Sequence, residues 1–214
     1  GGTTASNSDG DITSTVQANT AAGFSIVQYT GVSSATTATV GHGLGKAPTF
    51  IIHKGLNVSS YHFVRGVPGM TSATTVRDFN PNGSPTDVSG SGGALVAPTS
   101  TTFNINNYTG IGGGGYNYVA YCWAAIEGYS KFGTYTGNSN ADGPFIYTGF
   151  RPRIVLTFGE NFGRENFIWD TERSTFNPVD DYLRWGRSSA EGTSSSVSID
   201  ILSNGFKARG TNAD

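Results

Sequence analysis

Two carboxylates, Asp170 and Glu172, stand two positions apart in a stretch that reads as extended, and side chains so spaced on a strand share a face at roughly 6.5–7 Å. That separation suits the carboxylate pair of a glycoside hydrolase; the competing assignment is a solvated strand end neutralised by Arg173. The three histidines, His42, His53 and His62, fall in or beside expected strands. A metal centre needs them to converge with a carboxylate that no spacing here provides, so they are assigned structural or interfacial roles and no metal is expected. Asn7-Ser8-Asp9-Gly10-Asp11 places three oxygen side chains at alternate positions, as a calcium loop begins. Its glycine is misplaced and no bidentate Glu closes it, so a turn is expected. Gly110-Ile111-Gly112-Gly113-Gly114-Gly115 matches G-x-G-x-x-G, but a dinucleotide site needs a helix N-terminus after it. Here a strand follows, so the run reads as a flexible loop and no cofactor is expected. G-x-S-x-G, C-x-x-C, H-E-x-x-H and Walker sequences are absent, and no catalytic residue is assigned.

Tyr182 and Trp185 are the best candidates for contact with a sugar or protein, because aromatic rings offer large rigid area at little entropic cost. Their spacing also suits packing onto a sheet. They lie in the one helical signal of the chain: Asn177 as N-cap, Pro178 at the first helical position, Asp180 and Asp181 in the first turn and Gly186 to end it. At helical spacing Arg184 faces Asp180, as Leu183 faces Val179. The candidate receptor-binding set is therefore Tyr182, Arg184 and Trp185. Cys122, in Tyr121-Cys122-Trp123, reads as a buried small hydrophobe and excludes an internal disulfide framework. The sequons at Asn57, Asn82 and Asn107 carry no weight in a chain so rich in Ser, Thr and Asn.

Charged residues make up 13% of the 214 positions and Gly supplies 31 of them, so hydroxyls and amides must wet the surface. An aromatic content of 12% supplies apolar area enough for a core. With a net charge of −2 and no basic run, the footprint of phosphate binding is missing, and no nucleic-acid partner is expected. No apolar stretch approaches the roughly 20 residues of a membrane helix, and no membrane insertion is expected.

Alternation with period two recurs in short blocks separated by Gly, Asn, Asp, Ser and Pro, which predicts an all-β fold. The blocks are 12–16, 24–30, 36–42, 49–54, 61–65, 101–105, 116–126, 131–136, 144–148, 153–158, 166–170, 197–202 and 205–209. Sliding the halves together superposes Tyr29 on Tyr135 and Gly43 on Gly149, both 106 positions apart, then Pro48 on Pro152 and Phe103 on Phe206. Phe50-Ile51-Ile52 meets Ile154-Val155-Leu156. The expected architecture is two tandem, structurally similar antiparallel β-sandwich units of jelly-roll type, with at most one short helical turn near 178–185. Residues 1–23 form an N-terminal connecting segment and first strand, 24–130 the first unit and 131–214 the second. The second unit lacks a counterpart of Tyr116–Ile126. The strand around Phe206–Arg209 is expected to need a partner, from further chain or another subunit.

Thr39-Val40-Gly41-His42-Gly43-Leu44-Gly45-Lys46-Ala47-Pro48, Ala120-Tyr121-Cys122-Trp123, Glu127-Gly128-Tyr129-Ser130-Lys131-Phe132-Gly133, Asp142-Gly143-Pro144-Phe145 and Leu202-Ser203-Asn204-Gly205-Phe206-Lys207 together resemble a repeat domain of uncharacterised function from tail fibres of marine bacteriophages of the cyanophage and pelagiphage type. The resemblance implies a trimeric fibre or adhesin module on the outward-facing part of a virion, with other virion proteins as partners and no catalytic set. The expected function is non-enzymatic recognition of a host-surface glycan or protein. The alternatives are a purely structural virion component (capsid decoration, fibre or baseplate) and a glycan-cleaving tailspike using Asp170 and Glu172.

Overall fold

A computed structural model describes residues 3–33, 36–59, 62–65, 75–78, 86–159 and 165–211. The chain is all-β, with no helix among these residues, and it divides into two compact units between Ile126 and Glu127.

The first unit contains β1 (Ala5–Asn7), β2 (Ser14–Asn19), β3 (Phe24–Thr30), β4 (Ala38–Gly41), β5 (Phe50–Gly55), β6 (Phe63–Arg65), β7 (Thr75–Asp78), β8 (Thr86–Asp87), β9 (Thr102–Ile105) and β10 (Asn117–Trp123). Eight of them form an antiparallel sheet in the order β1-β2-β3-β10-β5-β6-β7-β8, while β4 and β9 pair separately. Strand β10 is the keystone: Ala120 lies between Val27 of β3 and His53 of β5. Its alternation is that of a strand with one face in the core, Tyr118, Ala120 and Cys122 being buried. The core draws on both sheets, Val27, Tyr29, Ile51 and Cys122 from one and Val40, Phe103 and Ile105 from the other. Cys122 is buried there as a small hydrophobe, and burial pushes its thiol up to about 12. Strand β5 is buried on both faces, because Trp123 of β10 lies on its outer side, 5.3 Å from Phe50.

The second unit contains β11 (Phe145–Tyr147), β12 (Ile154–Phe158), β13 (Asn166–Asp170), β14 (Asp181–Arg184), β15 (Gly192–Thr193), β16 (Ile199–Leu202) and β17 (Gly205–Ala208). Its sheets run β12-β13-β14-β15 and β11-β17-β16. The repeat seen in the sequence is legible here in the pairing. Val40 faces Phe103 across β4–β9, and Ile146 faces Phe206 across β11–β17. The amide of His42 donates to Thr101 O and that of Thr148 to Asn204 O, the same bond between matched positions. Tyr29 sits edge-on to Phe103 at 5.8 Å, and Tyr135 edge-on to Phe206 at 6.2 Å. The run β5-β6-β7-β8 has its counterpart in β12-β13-β14-β15.

The structure corrects several expectations. Residues 178–185 form no helical turn: Val179 exchanges backbone hydrogen bonds with Ile199, and Asp181–Arg184 is the strand β14. Asn177 does not cap a helix. Its amide receives the Ile201 N–H at 2.9 Å and donates to the Ile201 carbonyl at 3.0 Å, imitating a strand partner. The Asp181 carboxylate likewise ties neighbouring segments, accepting from Ser174 Oγ at 2.9 Å and Thr193 Oγ1 at 2.6 Å. Tertiary hydrogen bonds thus outcompete a local signal that could support only a turn or two of helix.

Segment 131–136 forms no strand, whereas β1, β7, β8, β14 and β15 are strands that alternation did not reveal. Within residues 3–23, β2 pairs with β3 along five residues. Strand β17 needs no partner, because β11 and β16 flank it; β12 is one of the terminal strands of the second unit among the described residues. Tyr61 and Asn82 lie outside the described residues.

Candidate functional site

The end of β14 brings two of the three candidate contact residues to a partly exposed surface. Tyr182 itself is 4% exposed and packs edge-on to Phe167 at 5.2 Å within the second core. Its hydroxyl accepts a hydrogen bond from Arg184 Nη2 at 3.0 Å, and the guanidinium carbon lies 4.9 Å from the ring centroid. Tyr182 therefore orients Arg184. Helical spacing set Arg184 against Asp180, but the strand carries it instead to Glu165, 3.6 Å away. Glu165 also accepts from both Arg187 Nη2 at 2.9 Å and Nε at 3.1 Å, a bidentate pair. Trp185, half-buried, follows directly, its amide donating to Asn166 O and its ring 6.3 Å from Phe158.

Arg184 and Arg187 present two guanidinium groups held by one carboxylate, whereas Trp185, next along the chain, turns to the opposite face of the sheet with Phe158. Chemically the ring can stack on an apolar face, and the guanidinium pair, separately, can donate hydrogen bonds to hydroxyl, carboxylate or phosphate oxygens. Glu165 and Arg187 were missed in the sequence, because the contact crosses the β13–β14 pair and no linear spacing encodes it. A separate open depression of about 430 Å³ is lined by Pro178, Ser195, Ser196, Ser198, Arg209 and Thr211, among others. Arg209 there is paired with Asp200 at 3.2 Å.

The remaining candidates are distributed as parts of the scaffold. Asp170 ends β13, and Thr171–Arg173 turn away, so the extended geometry assumed for the Asp170–Glu172 pair does not hold. The Asp170 carboxylate accepts from the backbone amides of Glu172 and Arg173 and from the Arg173 guanidinium. Asn7-Ser8-Asp9-Gly10-Asp11 is a turn, and the oxygens that resembled a calcium loop are engaged within the protein. Asp9 N donates to Asn7 Oδ1, and the Asp11 carboxylate accepts from Thr39 N and Oγ1. Those bonds hold the Asp11 carboxyl below its ordinary range. The glycine run is not a loose loop: residues 110–113 are buried and Tyr29 donates to the Ile111 carbonyl at 2.5 Å. A Cβ on Gly31 would stand 2.2 Å from the Gly113 carbonyl, so the two backbones meet where no side chain fits.

His42 and His53 are buried and His62 is exposed. His42 donates from Nε2 to Thr99 O and accepts the Leu44 amide at Nδ1, spending both ring nitrogens on a turn. His53 lies 2.9 Å by Nδ1 from the Tyr29 hydroxyl, which donates onward to Ile111; Nδ1 therefore carries the proton. Burial, then the Arg65 cation, lowers the His53 pKa to about 3. The unfolded chain takes up this proton as pH falls through about 6.5, while the folded chain does not until about 3. Stability is thus fully present above about 6.5 and declines on acidification by about 1.4 kcal/mol per pH unit. Burial lowers His42 as well, with the same sign. Urea unfolding of the first unit at pH 7.5 and pH 5.0 is expected to differ by about 2 kcal/mol, above the range where carboxylates titrate. A His53 ring resonance that titrates near pH 6.5 in the folded chain refutes this.

A family model described as a domain of unknown function (DUF7483) matches residues 1–214. No curated protein and no solved structure matches the chain.

Proposed function

The chain belongs to the DUF7483 family of domains of unknown function, and we propose that it is a non-enzymatic module of a bacteriophage virion, part of a trimeric tail fibre or similar appendage that contributes to host-surface recognition. The observation that carries this reading is the tandem repetition of one β-unit, matched at Tyr29/Phe103 and Tyr135/Phe206. Serial β-modules of low charge extend a shaft while exposing loops and strand ends, and the segments resembling marine phage tail fibres belong to both units. Arg184, supported by Tyr182 and Glu165, and Trp185, seated by Phe158, make the receptor contacts.

The engagement of Asp170 by Arg173 and by the turn amides favours a non-catalytic role for that carboxylate. Release of reducing ends from host polysaccharide by the wild-type chain, lost in Asp170→Asn, would reverse this and make the protein a tailspike. Adsorption of the purified full chain to host cells tests recognition. The Arg184→Ala/Trp185→Ala variant is expected to lose at least about tenfold in apparent affinity, as anchor residues of this kind contribute on the order of 2 kcal/mol. Unchanged adsorption removes the patch from the reading. Immunogold labelling on the head instead of the tail favours a structural capsid component.

A further inference from the structure

We propose that the outer edge of β12 is an acceptor for one more antiparallel strand with the pattern of Asn117–Trp123, supplied by a further stretch of the same polypeptide and seated between β12 and segment 131–136. The proposal is independent of what the chain binds. Its basis is a contrast between matched residues in two units that share register at β4–β9 and β11–β17 and at β5–β6 and β12–β13.

In the first unit Phe50 and Ile52 on the outer face of β5 are 5% and 4% exposed. The strand opposite covers them, Trp123 lying across from Phe50 and Tyr121 across from Ile52. Their counterparts on β12, Ile154 and Leu156, are 60% and 37% exposed. The intervening core-facing residues do not differ in this way: Ile51 and Val155 are both buried. What changes between the units is therefore the outer face and the edge beside it, the two things that β10 provides. Strand β5 lies between β10 and β6, whereas β12 is terminal in its sheet among the described residues.

Segment 131–136, the counterpart of β3, shows a matching difference. Its anchor, Tyr135, is seated on Phe206 as Tyr29 is on Phe103. Yet β3 is a seven-residue strand whose every residue pairs with β10, and segment 131–136 forms no strand. The counterparts of the two strands that flank β10 thus both lack such a strand partner among the described residues. An open edge with two exposed aliphatic side chains is a site that proteins cover or pair.

The register of β10 on β5 defines the occupant. Large aromatic residues belong opposite Ile154 and Leu156, as Trp123 and Tyr121 are opposite Phe50 and Ile52, and small ones opposite Val155 and Thr157, as Cys122 and Ala120 are opposite Ile51 and His53. The same chain is the natural source, since in the first unit the strand follows β9 after a twelve-position step from Ile105 to Asn117.

The test compares the 214-residue chain with one extended at its C-terminus by a second copy of residues 112–126, which keeps the twelve-position step from Ala208. Hydrogen exchange read by mass spectrometry is expected to slow at least 100-fold in both 153–158 and 131–136 of the extended chain, with the chain's oligomeric state unchanged. A Leu156→Lys variant of the extended chain, altered only at an exposed position, is expected to lose most of that gain. Unchanged exchange at either segment overturns the proposal. So does protection of 153–158 in the unextended chain that rises with concentration alongside a larger sedimentation coefficient, which would make a second copy the partner.

Discussion

Replacing Trp169 by alanine in the full chain is expected to unfold the second unit and leave the first folded. Trp169 is fully buried in β13, its ring 5.4 Å from Phe167 and its indole N–H directed to the Val197 carbonyl at 3.4 Å. It joins the β12-β13-β14-β15 sheet to the segment leading into β16, so its removal opens a cavity between the two sheets of that unit. Such truncations cost about 3–5 kcal/mol, a large share of the 5–15 kcal/mol that a domain typically has. The second unit also begins with less in reserve, because the outer face of β12 leaves Ile154 and Leu156 in water.

Hydrogen exchange separates the outcomes. Peptides covering 166–170 and 199–208 should lose protection in Trp169→Ala, while those covering 24–30 and 117–123 keep it. Trp169→Phe, which retains most of the volume, should restore part of the loss. Full protection of the second unit in the alanine variant, with an unshifted urea midpoint, refutes the prediction. Collapse of both units together refutes their independence.

Much of the scaffold was written in the residues. Phe24–Thr30 and the stretch around Asn117–Trp123 alternate so regularly that their inward faces follow from period two, and the matched positions Tyr29/Tyr135 and Phe103/Phe206 exposed the duplication. What escaped has a common cause. Strands β7, β8, β14 and β15 are two to four residues long and polar or mixed in composition, as Thr86–Asp87 and Gly192–Thr193 are. Such segments are strands only because a neighbour offers them a ladder.

Segment 131–136 errs the other way. It has the alternation of β3 but, among the described residues, no counterpart of β10 pairs with it, and a strand needs a pairing partner as well as a pattern. The helical signal at Asn177-Pro178 was real as local chemistry and lost to two hydrogen bonds with Ile201, 24 positions away. The candidate site was legible in part for the same reason. Trp185 and Arg184 stand out by residue type, whereas the support of Arg184 by Glu165 depends on which strands lie side by side.

The first core holds a feature that no spacing announced, and its disruption is the second large effect expected. Arg65 is 3% exposed and, among the described residues, is paired with no carboxylate. Its guanidinium donates to the Asn104 carbonyl, the Val96 carbonyl and, at 2.6 Å, the Asn104 side-chain oxygen. Burial lowers its pKa to about 10, which leaves it charged at neutral pH. The same Asn104 oxygen accepts the Val96 amide at 3.0 Å. Asn104→Ala therefore strips one acceptor from a buried cation and from a backbone amide at once. A hydrogen bond to a charged group contributes about 1.5–3 kcal/mol and a neutral one about 1, so a loss of roughly 2–4 kcal/mol is expected in the first unit.

The arrangement also dictates how the substitutions combine. Arg65→Met removes the cation whose desolvation makes the missing acceptor costly, so Asn104→Ala should cost less in that background, with a coupling of at least about 1 kcal/mol. Urea unfolding of the two single variants and the double variant measures it. If the two losses simply add, Arg65 and Asn104 do not act as a unit, and the cost of Asn104→Ala comes from the Val96 amide alone.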